Sequence, residues 1–139
     1  MKRTGKDEAG RWLTQAKDEF QDADELRKRG RYYLALFHLQ QATEKALKAF
    51  LYLNVKSVEV LFTHSIGELL EMAMELDPGF TDVARAKKLD QYYIATRYPN
   101  GLPGGIPSRF FDDPKEAEEA MLLAKRVIEM VEERSKEIE

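Results

Sequence analysis

The 139 residues suit a single domain, 1–139, long enough to bury roughly 70% of its unfolded surface. A hydrophobic share of 43% beside 34% charged residues excludes a disordered chain, and a net charge of -3 gives no bulk attraction to nucleic acid. Zero cysteines exclude disulfides and thiolate metal sites.

No stretch approaches the roughly 20 apolar residues that span a bilayer. Met1-Lys2-Arg3 leads into no apolar run of a secretory signal, so a cytoplasmic protein is expected. Two asparagines beside abundant Glu, Lys and Arg fit a heat-adapted source.

Five segments carry helical period and none alternates like a strand, which predicts an all-α, up-and-down bundle of about five helices. The first helix is expected from Asp7 to Arg29, with Trp12, Ala16, Phe20, Ala23 and Leu26 inward and Gly30 as its stop. The second, Arg31 to Asn54, would be about 35 Å long, the spine of the bundle. One broad face holds Ala35, Leu36, Leu39, Ala42, Thr43, Ala46, Leu47, Phe50 and Leu53. The opposite face holds Leu34, Phe37, His38, Gln41, Glu44, Lys45, Lys48 and Tyr52. Glu44 and Lys48 have the spacing of a surface ion pair. Leu34, Phe37 and Tyr52 need cover from another helix or subunit, so Leu34, Phe37, His38, Gln41 and Tyr52 form a candidate partner or dimer surface.

After a linker whose segment 57–62 is unassigned, Ser65 and Glu68 have capping-box spacing for a third helix to Leu76. Asp77-Pro78-Gly79 reads as a turn, and a fourth helix is expected from Thr81 to Arg97, ended by Pro99. Pro99 to Asp112 holds three prolines and three glycines and reads as a long structureless loop. Asp113 caps the last helix, with Pro114 at its first position and Glu116 completing a box. Ala117, Ala120, Met121, Ala124, Val127, Ile128 and Val131 would be its inward stripe.

The chemistry-bearing residues are sparse. His38 and His64 belong to different helices without metal-ligand spacing, and the acidic clusters Asp18, Asp22, Glu25 and Glu116, Glu118, Glu119 suit solvated faces, so no metal or cofactor is expected. Lys45, Lys48, Arg97 and Arg109 would form a phosphate-binding set if the second helix and the long loop are neighbours. Tyr92, Tyr93, Tyr98, Phe110 and Phe111 are the aromatic groups available to stack on a base.

The run Tyr32-Tyr33-Leu34-Ala35-Leu36-Phe37-His38-Leu39-Gln40-Gln41-Ala42-Thr43-Glu44-Lys45-Ala46-Leu47-Lys48-Ala49 resembles the signature helix of HEPN domains (higher eukaryotes and prokaryotes nucleotide-binding). Trp12 with Ala16 resembles their opening helix, and Thr63-His64-Ser65 before Leu69-Leu70 their histidine before helix three. Leu89-Asp90-Gln91-Tyr92-Tyr93-Ile94-Ala95-Thr96-Arg97-Tyr98-Pro99 is similar to the helix-four ending of a stand-alone prokaryotic branch. The resemblance implies a dimerising helical bundle that binds a nucleotide or RNA. It also implies a minimal nucleotidyltransferase as protein partner, in toxin–antitoxin or defence settings. Many such domains are metal-independent RNases whose arginine is followed four to six residues later by a histidine. Arg97 matches that arginine, but Leu102, Pro103 and Gly104 follow the gap, and no histidine occurs after His64. The expectation is therefore a homodimeric binding module without catalysis of its own. The alternatives are an RNase rebuilt around Arg97 with His38 or His64, and a plain oligomerisation scaffold.

Overall fold

The structure, a computed structural model, describes residues 5–54 and 62–136; 1–4, 55–61 and 137–139, and with them most of the unassigned linker, lie outside the described residues. Among the described residues it is helical with no strand.

Helix α1 runs Gly5–Lys28 and α2 runs Tyr32–Asn54. The junction is a Schellman stop: Arg31 N–H donates to Leu26 O at 2.9 Å and Gly30 N–H to Arg27 O at 3.0 Å. Gly30 takes φ +75, a left-handed turn that a Cβ would strain, so glycine stands where the first helix was expected to stop. Glu19 meets His38 while Trp12 packs against Tyr52, so the two helices run antiparallel.

More of α2 is inside than a one-sided stripe allows: thirteen of its 23 residues are buried. It packs along α1 and also touches every later α-helix. The Ala/Leu/Phe face meets its neighbours as expected, with Phe50 against Phe80 at 4.6 Å between ring centroids. The other face departs from expectation. Glu44 and Lys48 are 3% and 2% exposed, not a surface pair: Trp12 of α1 lies against the Lys48 ammonium and His64, just before α3, against the Glu44 carboxylate. On α1 the buried line is Ala9, Leu13, Ala16, Glu19 and Ala23; Trp12, Phe20 and Leu26 lie only partly inside, rotated to the edge of that line.

Helix α3 spans Ile66–Leu76. Ser65 caps it by accepting from Glu68 N–H at 3.2 Å. The reciprocal half of the box is replaced: the Glu68 carboxylate accepts from Thr63 Oγ1, which itself accepts from Ser65 N–H. The deeper cap comes from far along the chain. Asp90 accepts from Ile66 N–H at 2.8 Å, Gly67 N–H at 3.0 Å and Ser65 Oγ at 3.2 Å. A carboxylate on these donors satisfies orphan amides and opposes the positive end of the helix dipole.

The expected fourth α-helix is replaced by a 3-10 helix, Pro78–Gln91, interrupted at Val83 (φ -115, ψ 16), and a single α turn, α4, Tyr92–Ala95. The reason is its core register. Phe80, Val83, Ala86, Leu89 and Tyr92 are buried at a strict spacing of three. Three residues complete one 3-10 turn but fall about 60° short of an α turn, so only the tighter winding keeps all five inward.

The segment Pro99 to Asp112 is not structureless. It holds a 3-10 turn, Pro99–Gly101, and helix α5, Pro107–Phe110, and Phe111 enters the core against Tyr92. Helix α6, Pro114–Arg134, has the expected cap: Asp113 accepts from Lys115 N–H. Its buried residues are the expected stripe except Met121, which is partly exposed. Glu116 does not close a capping box; it accepts from Tyr92 O–H at 2.8 Å. Burial and that carboxylate hold the Tyr92 phenol protonated well above its usual range.

A buried polar cluster joins α1 to α2. Glu19 bonds Lys45, His38 at 3.4 Å and Gln15 at 3.3 Å. Burial alone would raise the Glu19 pKa, but hydrogen bonds from His38 and Lys45, the Lys45 charge and Gln15 outweigh it and bring the value from 4.5 to about 2. The unfolded chain therefore binds more protons between those two values, and stability falls as pH drops through that window. Glu19→Gln is expected to lose on the order of 3 kcal/mol at neutral pH and to flatten the acid limb, measured by urea denaturation at neutral and acid pH. Asp90→Ala should cost about 3 kcal/mol in the same assay. It should also speed amide hydrogen exchange at Ile66 and Gly67 before the rest of the bundle; unchanged protection there would show that the cap is not the anchor.

Candidate functional site

The outer face of α2, the start of α3 and the end of α4 meet along one side of the molecule. Gln40 sets this junction. It is fully buried, donates to His64 O at 3.0 Å and to Asp90 Oδ1 at 3.4 Å, and accepts from Gln41 Nε2 at 2.8 Å. A buried amide with three partners fixes the backbone that carries His64.

The His64 side chain is 53% exposed on its outer side, while Nδ1 lies 3.3 Å from the buried Glu44 carboxylate. Glu44 also holds Lys48 at 3.1 Å, and the Lys48 ammonium lies 5.5 Å from the Trp12 ring centre. The His64 ring stacks on Tyr93 at 5.1 Å and 19°. A histidine with one nitrogen against a carboxylate and its ring clamped by an aromatic face has a fixed orientation, as a proton-transfer group requires.

Arg97, just beyond α4, lies against the same tyrosine. Its guanidinium carbon is 4.7 Å from the Tyr93 ring centre, 4.6 Å from Phe37 and 5.1 Å from Tyr98, and Nε donates to Tyr93 O at 2.7 Å. Each ring contact contributes on the order of 0.5–1 kcal/mol at an exposed position. Together with the Nε bond they restrain an exposed cation. Phe37, placed by the sequence on a partner surface, is covered in part by this chain's own Arg97.

Beside this array is an open cleft of about 630 Å³ lined by Phe62, Thr63, His64, Ser65, Glu68 and Tyr93, with Asp90. Among the described residues no three His, Asp or Glu side chains converge as a metal set. No helix among them is long and apolar enough to cross a membrane.

The four cations expected to share a phosphate differ in their surroundings. Lys45 is engaged by Glu19 and Gln41 and Lys48 by Glu44. Arg109 is exposed on α5, and Arg97 stands next to the cleft. Of the candidate partner surface, Tyr52 packs on Trp12 and His38 on Glu19 and Phe37, while Gln41 bonds Gln40 and Leu34 is half-buried. Sequence reasoning missed the parts played by Gln40, Asp90 and Tyr93. Their signal was faint: Gln40 lies on the wheel between the two faces, Asp90 was read only as a member of a helix, and Tyr93 only as one of several rings available to a base.

The family profile of the HEPN domain matches residues 9–134. A Methanocaldococcus jannaschii protein provisionally named a toxin, MJ1304, is 24% identical over 132 residues, covering 91% of this chain and 87% of that protein. The crystal structure of TT1696 from Thermus thermophilus superposes with a TM-score of 0.77 at 36% identity, covering 90% of this chain and 96% of the other. That of ST0689, described as an archaeal HEPN homologue, gives 0.71 at 28%, covering 97% and 99%. With a profile match across nearly its whole length and the helical bundle those structures share, the chain belongs to the HEPN domain family.

Proposed function

We propose that this HEPN domain binds the phosphate of a nucleotide or of RNA at Arg97, beside the cleft of His64 and Tyr93. The observation that carries the reading is the exposed Arg97 guanidinium, held in place by Phe37, Tyr93 and Tyr98 with its outer donors available to an anion. A preoriented arginine fork suits phosphate oxygens, and rings beside it suit a base. The chain acts as one domain and as a homodimer, with the exposed Ile94, Tyr98, Ile106 and Phe110 as apolar area for a second subunit or for a nucleotidyltransferase-type protein. Calorimetry with ATP, GTP and a short single-stranded RNA should give saturable heat, and Arg97→Ala should weaken binding by about tenfold or more. Absence of heat with all three ligands would sink the reading.

A second reading, RNA cleavage, is favoured by the Glu44–His64 contact and by the name of the M. jannaschii relative. The histidine absent downstream of Arg97 would then be supplied from the segment before α3. His64 would take the proton of a ribose 2′-hydroxyl as its oxygen attacks the adjacent phosphorus; the bond from phosphorus to the 5′-oxygen breaks, leaving a 2′,3′-cyclic phosphate and a 5′-hydroxyl protonated from water, while Arg97 would stabilise the charge gathering on the phosphate oxygens. Cleavage without added metal, reduced at least a hundredfold in His64→Gln and in Arg97→Ala while both variants melt like the parent, is the expected result. Intact RNA after long incubation with excess protein would leave the binding role alone.

A further inference from the structure

The cleft beside Arg97 has a chemical character that a phosphate site would not have. No lysine or arginine lines it, and two carboxylates, Glu68 and Asp90, do. The protons of its two aliphatic hydroxyls are already directed at carboxylates: Thr63 Oγ1 donates to Glu68 Oε2 at 2.7 Å, and Ser65 Oγ donates to Asp90 Oδ2 at 3.2 Å. The backbone donors of the α3 N-terminus are taken by Asp90, so that helix end offers an anion nothing. What its Glu68 side presents is acceptor capacity. Glu68 is exposed, its Oε1 has no partner among the described residues, and an ionised carboxylate is acceptor-only with several lone-pair sites. The same cleft is lined by Phe62, 76% exposed, a large aromatic with little packing of its own, and by the His64–Tyr93 stack.

We propose that this cleft is a base-selective subsite that takes guanine, reading its N1–H and exocyclic amino group with the Glu68 carboxylate and stacking it on Phe62 or His64. The inference rests on the phosphate reading for Arg97 and adds the identity of the base. Guanine is the base whose Watson–Crick edge sets two donors side by side, matching the two oxygens of one carboxylate. Adenine offers one donor beside an acceptor lone pair that would face the carboxylate, and cytosine and uracil each offer a single donor in the corresponding place. Unpaired bases are recognised in this way, by stacking together with hydrogen bonds to the Watson–Crick edge. The base in the acidic cleft and the phosphate on Arg97 divide the nucleotide by charge, with Tyr93 between them.

The test is calorimetric titration of the full chain with GMP, IMP, AMP, CMP and UMP, repeated with Glu68→Gln, Phe62→Ala and Arg97→Ala. GMP should bind about tenfold tighter than AMP. IMP, which keeps N1–H but lacks the amino group, should lose most of that margin. Glu68→Gln should bring the GMP/AMP ratio to within about twofold, because the amide turns a donor toward N1–H. Phe62→Ala should weaken both purines. Arg97→Ala should weaken all five ligands by a similar factor. Glu68 and Phe62 lie on the surface, so thermal melting of their variants should match the parent. Equal affinity for all five monophosphates, or a guanine preference that survives Glu68→Gln, overturns the base assignment while the phosphate reading stands. Absence of binding by any of them overturns both.

Discussion

The carboxylate of Asp90 is the point on which the arrangement of the site depends. It belongs to the end of the 3-10 helix, yet its hydrogen bonds reach the first turn of α3 and the Gln40 amide of α2. Three elements distant in sequence are pinned at one place by a single side chain. Because the donors are backbone amides at a helix start, the interaction is directional as well as charged, and it sets where the chain before α3 must lie. His64 is in that chain, and Gln40 holds its carbonyl. The orientation of the exposed histidine therefore follows from the cap of a helix to which it does not belong.

The polar side of α2 shows a second constraint. Glu44–Lys48 and Glu19–Lys45 are inside or nearly so, where desolvation costs roughly what the pair recovers. Such pairs contribute little to net stability compared with apolar residues of the same shape. They do make alternatives costly, since any rotation of α1 or α2 that separates a pair leaves a buried charge alone. The Ala/Leu/Phe face supplies the burial that stabilises the bundle, and the charged face holds the helices in register. The chemistry then grows outward from this register, from Glu44 to His64, from His64 to Tyr93 and from Tyr93 to Arg97.

Much of the fold was legible because local rules and tertiary demands agreed. Gly30 stood where a left-handed residue closes α1, Ser65 and Asp113 capped the helices they preceded, and the α6 stripe was inside at nearly every expected position. The misreadings have specific causes. The spacing of three in Phe80, Val83, Ala86, Leu89 and Tyr92 is close enough to 3.6 to pass for an α-helix, although a strict run of threes favours the tighter winding. Glu44 and Lys48 obey the rule for a surface pair, and spacing alone carries no information on depth. Phe37 was correctly seen to need cover, but an arginine sixty residues later supplies part of it, which no local pattern states.

What the sequence by itself determined was the class of the molecule: its helices, their stops and caps, the apolar spine, and the resemblance carried by the α2 run and by the residues ending in Arg97-Tyr98-Pro99. These depend on contacts within a few residues, where period and propensity decide the outcome. What only the tertiary structure decided was which polar residues meet. His64 and Arg97 are 33 positions apart and share Tyr93, while Lys45 and Lys48, one helix turn apart, are drawn to different carboxylates. A hydrogen bond or a stacked ring depends on the relative placement of whole elements to within about an ångström. That placement is set by the packing of the entire core, so the site could not be assembled from any one segment alone.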